Sequence, residues 1–233
     1  MNPTLQHHLT RLANPVDAAN LQRFFKTAHG EYGAGDQFRG IRVPALRQLV
    51  KQYPNLSLPE VETLLHSPWH EDRLLALLML VRQYPKADAP KQADIFALYL
   101  RNLPRINNWD LVDTSAEHII GAHLLAQDRA LLTQLVASTN LWERRIAVMA
   151  TFHFIKRGDF ADTLTLAARL LTDREDLIHK AVGWMLREIG KRDLSAEETF
   201  LQTHYRQMPR TMLRYAIEKL PEERRQQYLS GTV

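Results

Sequence analysis

The chain of 233 residues has no cysteine. Disulfides, thiolate metal sites and cysteine nucleophiles are therefore excluded, and the composition fits a reducing compartment. Long apolar runs are also missing. The longest clean one, Leu74 to Val81, falls far short of the roughly 18 residues that a membrane-spanning helix needs, and reads instead as a buried helix. The first residues, Met1 to His8, lack the basic and apolar regions of a signal peptide, so a cytoplasmic protein with no membrane partner is expected. Glycine is scarce, at nine residues, and alternating polar and apolar runs are nearly absent, which argues against strands. Nucleotide-binding and nucleophile-elbow motifs of the GxGxxG, GxxxxGK[ST] and GxSxG types do not occur. The ten histidines show no HExxH spacing. No metal and no cofactor are expected.

What the sequence does have is helical periodicity. Asn14-Pro15 reads as a cap and first turn of a helix that runs to about Thr27. The segment His29 to Gly40 holds four of the nine glycines and reads as the one long loop. Beyond it, apolar spacings of three and four predict helices over 44–53, 58–65, 70–84, 90–103, 109–126, 129–137, 141–156, 160–171, 175–191, 196–207, 211–220 and 222–228. No Ser/Gly-rich linker divides them, so residues 1–233 are expected to form one domain.

The helices also repeat. A charged residue leads into an apolar run at Arg73, Asp113, Arg145, Lys180 and Arg214, at intervals of 40, 32, 35 and 34 residues. A period in the thirties filled by two helices predicts an all-α fold, an α-solenoid, in which the second helix of each pair lines a curved, concave face. The recurring position then forms a row of four cations and one anion, reinforced by Arg144, Lys156, Arg157, Arg187, Lys191 and Arg192. Such a row suits a phosphate backbone, and the net charge of +4 agrees with it. An acid in that row costs affinity unless it does something else.

That acid belongs to Asn107-Asn108-Trp109-Asp110-Leu111-Val112-Asp113. With a helix start at Asn107 or Asn108, Trp109 and Asp113 share a face, and Asp113 falls near the first turn, where the helix dipole favours a carboxylate. Trp184 follows Lys180 by four residues and lies beside the basic row, whereas Trp69 and Trp142 open their helices and read as packing residues. Indoles, a carboxylate and phosphate-binding cations together suit a DNA site for a nucleotide carrying positive charge.

Four segments carry a resemblance. Gly40-Ile41-Arg42-Val43-Pro44-Ala45-Leu46-Arg47, Trp109-Asp110-Leu111-Val112-Asp113, Trp142-Glu143-Arg144-Arg145 and Lys180-Ala181-Val182-Gly183-Trp184-Met185-Leu186-Arg187-Glu188 occur in order. They are similar to the G-[IV]-x-x-P-x-x-R, W-D-x-V-D, W-x-x-R and K-A-[IV]-G-W-x-L-R-E segments of AlkD-type DNA alkylation repair proteins, which are DNA glycosylases built from HEAT-like repeats. The resemblance implies release of cationic N3- and N7-alkylated purines without metal or cofactor; the partner expected is double-stranded DNA containing alkylated bases, with no obligate protein partner and the protein a monomer. It implies Asp113 as the catalytic carboxylate, Trp109 and Trp184 lining the lesion cleft, and Arg145 on the DNA backbone. Lys180, Arg73, Arg187 and Arg214 are the other backbone-binding candidates. Two further readings are a non-catalytic DNA-binding solenoid and a protein-interaction scaffold. The Trp109–Asp113 pair separates the enzyme from the first, and the basic row separates both DNA readings from the second.

Overall fold

The computed structural model describes residues 3–233. Regular structure among them is helical, and the arrangement is α-solenoid-like, as the periodicity predicts. Contacts gather the chain into two compact units, one ending at Ile119 and the other beginning at Ile120. None of the described helices is long and apolar enough to cross a membrane.

The first unit contains α1 (Pro3–Leu12), α2 (Pro15–Phe24), α3 (Val43–Gln52), α4 (Leu58–Leu65), α5 (His70–Gln83), α6 (Ala89–Arg101) and α7 (Trp109–Ala116). Helix α1 has no counterpart among the helices expected from sequence; only Leu5 and Leu9 are buried on it. The start of α2 is as expected: the Asn14 side chain accepts from Val16 N–H at 3.0 Å, and Pro15 follows at the first position. Helix α4 begins with a capping box, in which Ser57 and Glu60 satisfy each other's backbone N–H groups. Helix α5 is the centre of the unit. It is buried all round from His70 to Leu80 and packs on α3, α4 and α7.

Residues 25–42 join α2 to α3 and contain the loop expected over 29–40; α2 stops at Phe24, short of the expected Thr27. The loop is drawn in tightly against the first unit. Gly40 has φ +80°, and a Cβ there would lie 2.0 Å from the Asn14 carbonyl oxygen, so no other residue fits without displacing backbone.

The second unit contains α8 (Ala122–Leu124), α9 (Ala130–Val136), α10 (Leu141–Ala150), α11 (Phe152–Ile155), α12 (Ala161–Arg169), α13 (Asp176–Gly190), α14 (Leu194–His204), α15 (Arg210–Ala216) and α16 (Glu222–Ser230). Helix α13 is its centre and packs on α10, α12, α14 and α15. At Gly183 a Cβ would meet the Met212 carbonyl oxygen at 2.4 Å and Tyr215 Cβ at 2.5 Å, so the glycine permits the close approach of α15. Two predicted helices are interrupted. The one over 109–126 passes through a π turn at Glu117–Gly121, and the one over 141–156 breaks at Thr151, whose buried hydroxyl donates to the Val148 carbonyl at 2.7 Å.

Glu197 is buried on α14, and burial, reinforced by the neighbouring Glu198 and partly relieved by Arg187, pushes its carboxyl up to about 8. The folded state thus holds a proton that the unfolded chain releases near pH 4.5. Stability is therefore highest below that value and declines as pH rises towards 8. Glu197→Gln is expected to remove this decline, with a gain over the wild type on the order of 3 kcal/mol at neutral pH and almost none near pH 4. Urea denaturation across that range measures it.

Candidate active site

The start of α7 is fixed by Asn108, whose backbone is extended and whose side-chain oxygen accepts the Trp109 N–H at 2.9 Å. Of the two predicted positions, the cap is therefore Asn108. Asp110 is the carboxylate of the first turn, and Asp113 lies one turn further in. Trp109 and Asp113 are both half-buried. Asp113 sits close enough to Tyr99 that its charge adds to burial in raising the phenol of that residue. The Tyr99 hydroxyl is 2.9 Å from that of Ser115, also on α7.

Trp109 borders a cluster of rings in which Phe25, Phe38 and His70 touch one another. Phe25 stacks on Trp109 with centroids 5.2 Å apart and planes 20° from parallel. Phe38 stacks on Phe25 at 5.1 Å, and His70 on Phe38 at 4.5 Å. Phe24 meets the indole edge-on at 5.9 Å while remaining 63% exposed, so an aromatic surface continues outward from Trp109.

A buried polar network runs beside the ring cluster. His70, 1% exposed, places Nδ1 2.8 Å from Asp36 and Nε2 2.8 Å from Asp110. Asp36 also accepts from Arg73 at 2.5 Å, and its carboxyl is held below the usual range: burial opposes ionisation, but His70 and Arg73 outweigh it. Arg39 forms a two-pronged pair with Asp72 at 2.7 and 2.9 Å, and its guanidinium lies 4.8 Å from the Trp69 ring centroid. Glu71 accepts three backbone N–H groups of the loop, from Arg39, Gly40 and Ile41, at 2.8, 2.8 and 3.0 Å. The loop, α5 and the start of α7 are thereby tied together by charge-assisted bonds.

In the second unit, Trp184 is half-buried on α13 and its indole N–H is bonded to Glu188 one turn on. Glu188 also accepts from Lys191 at 2.5 Å and Arg192 at 3.1 Å. Phe152 lies 6.2 Å from the Trp184 ring, with the Lys156 ammonium 4.2 Å from the Phe152 centroid. Trp142 is 7% exposed, a packing residue as expected; Trp69 is half-buried and carries Arg39.

Two members of the expected basic row, Arg73 and Arg145, are turned inward. Arg73 is 5% exposed, and besides Asp36 it donates to the Ser67 and Pro68 carbonyls at 3.2 Å each, so its guanidinium braces the interior. Arg145 is likewise 5% exposed and donates to the Leu177 carbonyl. A guanidinium turned inward satisfies backbone carbonyls and, at Arg73, a buried acid. Among the reinforcing cations, Arg144 is held by Asp173 at 2.7 Å. Lys180 is nearer solvent, paired at 2.7 Å with an exposed Asp176; Arg187 is half-buried and paired with Glu218; Arg214 is exposed. Sequence reasoning missed Phe24, Phe25, Asp36, Phe38, His70, Asp110 and Glu188. The acidic positions next to His70 and Trp109 were visible, but their partners are far away in the chain.

The DNA alkylation repair enzyme family model matches residues 5–220. Among solved structures, a protein of Enterococcus faecalis described as a predicted DNA alkylation repair enzyme superposes with a TM-score of 0.72 at 19% identity, covering 90% of this chain and 97% of its own. At that identity the likeness bears on the fold. No curated protein matches the sequence significantly.

Arg73→Ala leaves Asp36 buried with its charge partly uncompensated, and a loss of about 3 kcal/mol in urea denaturation is expected. Below its melting temperature the variant should keep the wild-type salt dependence of DNA binding. A reduced salt slope with unchanged stability would restore Arg73 to the surface row.

Proposed function

Because the chain belongs to the DNA alkylation repair enzyme family, we propose that it is a monofunctional DNA glycosylase acting on cationic N3- and N7-alkylated purines in duplex DNA. It would open base excision repair in the cytoplasm, as a monomer and a single functional domain over residues 1–233, without a metal or cofactor. The observation that carries the reading is the start of α7, where a capped helix presents a half-buried carboxylate, Asp113, one turn from a half-buried indole, Trp109.

The chemistry asks little of the protein beyond that. An alkylated purine already bears positive charge, so it leaves with the electron pair of the C1′–N bond and becomes neutral. The deoxyribose is left with oxocarbenium character. Asp113 stabilises that charge and orients a water molecule, whose oxygen bonds to C1′ as its proton passes to the carboxylate or to solvent. The π face of Trp109 attracts cationic character in the base or sugar. Trp184 has its indole N–H committed to Glu188, and so offers a ring face to the DNA rather than a donor. Lys180, Arg187 and Arg214 are the proposed phosphate contacts. The Asp176 that holds Lys180 is exposed, and an exposed pair of this kind contributes roughly 1 kcal/mol or less, so exchanging it for a phosphate costs little.

The first measurement is release of 7-methylguanine and 3-methyladenine from methylated duplex DNA. The wild type is expected to release both, and Asp113→Asn to be slower by roughly a hundredfold or more with DNA binding retained. A folded, DNA-binding wild type that releases nothing would support a non-catalytic DNA-binding solenoid, and one that binds no DNA an interaction scaffold.

Lys180→Ala and Arg214→Ala should each weaken binding to DNA of any sequence. Each should also flatten the plot of log affinity against log salt by about one unit or less per lost phosphate contact. Unchanged slopes would remove these residues from the interface.

A further inference from the structure

We infer that His70 is a fixed imidazolium that positions Trp109, so that the loop 25–42 and the start of α7 work as one part of the reactive apparatus. The inference rests on the glycosylase reading above and names a positioning residue for it.

Set between two carboxylates, the ring needs both protons. Nδ1 and Nε2 each lie 2.8 Å from a carboxylate oxygen, one on Asp36 and one on Asp110. A neutral ring has one N–H and one lone pair, and would set that lone pair against a carboxylate at hydrogen-bond distance. Only the doubly protonated ring donates to both. Burial alone would drive the proton off, but the two aspartates outweigh it and hold the ring's pKa at about 9. The charged groups around the ring are otherwise accounted for. Arg73 pairs with Asp36, Asp72 with Arg39, and Glu71 takes the loop backbone N–H groups. No further acid is needed to compensate His70.

Two routes lead from this ring to Trp109. The ionic one runs through Asp110, the residue next to Trp109, whose other oxygen accepts the Leu111 N–H at 2.9 Å and so grips the first turn of α7. The other runs through the rings: His70 packs on Phe38 and directly on Phe25, and Phe25 stacks on Trp109. Every member before Trp109 lies in the loop, at the end of α2, or at the start of α5. A purely structural ion pair would not need to converge on the indole by both routes. This also gives the glycine-containing loop a task, since it delivers Asp36 and Phe38 to the same ring.

The test uses the full chain with two variants, His70→Gln and Asp110→Asn. Nitrogen-15 spectra of the imidazole report its protonation, and the indole N–H resonance of Trp109, assigned by its loss in Trp109→Phe, reports the position of the ring. Single-turnover excision and duplex affinity are measured on methylated DNA. In the wild type both ring nitrogens should stay protonated between about pH 6 and pH 8. In each variant the indole resonance should shift, and the excision rate should fall at least about tenfold while duplex affinity changes by less than about threefold. A neutral ring in the wild type at pH 7 would overturn the inference. So would an unmoved indole resonance in Asp110→Asn, or a rate loss that merely follows the fraction unfolded. If His70→Gln does not fold, Asp110→Asn decides the matter. If the wild type excises no methylated purine, the glycosylase reading fails, while the ring protonation and the Trp109 resonance still judge the positioning.

Discussion

A buried cation between a buried acid and a half-buried one, Asp36 and Asp110, is the constraint on which the first unit depends. Taking an imidazolium and two carboxylates out of water costs several kcal/mol per ion, and only close, complete pairing offsets it. Asp36, His70 and Asp110 meet that condition at 2.8 Å on either side of the ring, with Arg73 completing the shell of Asp36. The three elements that supply these groups are a loop, the first turn of α5 and the first turn of α7. Once the cluster forms, none of the three can shift without exposing an uncompensated charge. The position of Trp109 and Asp113 follows from that rigidity, since both lie on α7 within a turn of Asp110.

The second unit solves a similar problem with smaller means. Trp184 is oriented by one carboxylate, Glu188, which also gathers Lys191 and Arg192. The indole donor is thereby satisfied within the protein, and Gly183 beside it lets α15 pack directly on the same helix. An aromatic ring whose polar atom is already bonded is suited to contact through its face. At Trp109, Phe25 stacks on the ring and Phe24 extends the aromatic surface outward.

The charged residues show most clearly how sequence position and physical role part company. Arg73, Arg145, Lys180 and Arg214 occupy equivalent places in the repeat, yet two are buried. Arg73 is drawn in by Asp36 and the carbonyls of Ser67 and Pro68, and Arg145 by the carbonyl of Leu177. A guanidinium has several donors in a plane and serves equally to bind a phosphate or to satisfy an interior acceptor. Periodicity shows that such a residue recurs, but the acceptors nearby decide its direction.

Helices, their approximate limits, a cap at Asn107 or Asn108 and the Trp109–Asp113 spacing were legible in the sequence because they rest on interactions within one or two turns. The all-helical, α-solenoid-like class followed from the same local periodicities summed along the chain. Helix α1 and the π turn at Glu117–Gly121 escaped notice. The first buries little beyond Leu5 and Leu9, and the second keeps an apolar pattern that an unbroken helix also satisfies. The His70 cluster was decided by tertiary structure alone. Its partners lie 34 and 40 residues away, and nothing local distinguishes a histidine with two aspartates from one facing water. The sequence by itself determined which helices form and which residues share a face. Only the packed structure decided which charges face inward, because that depends on acceptors brought together from distant parts of the chain.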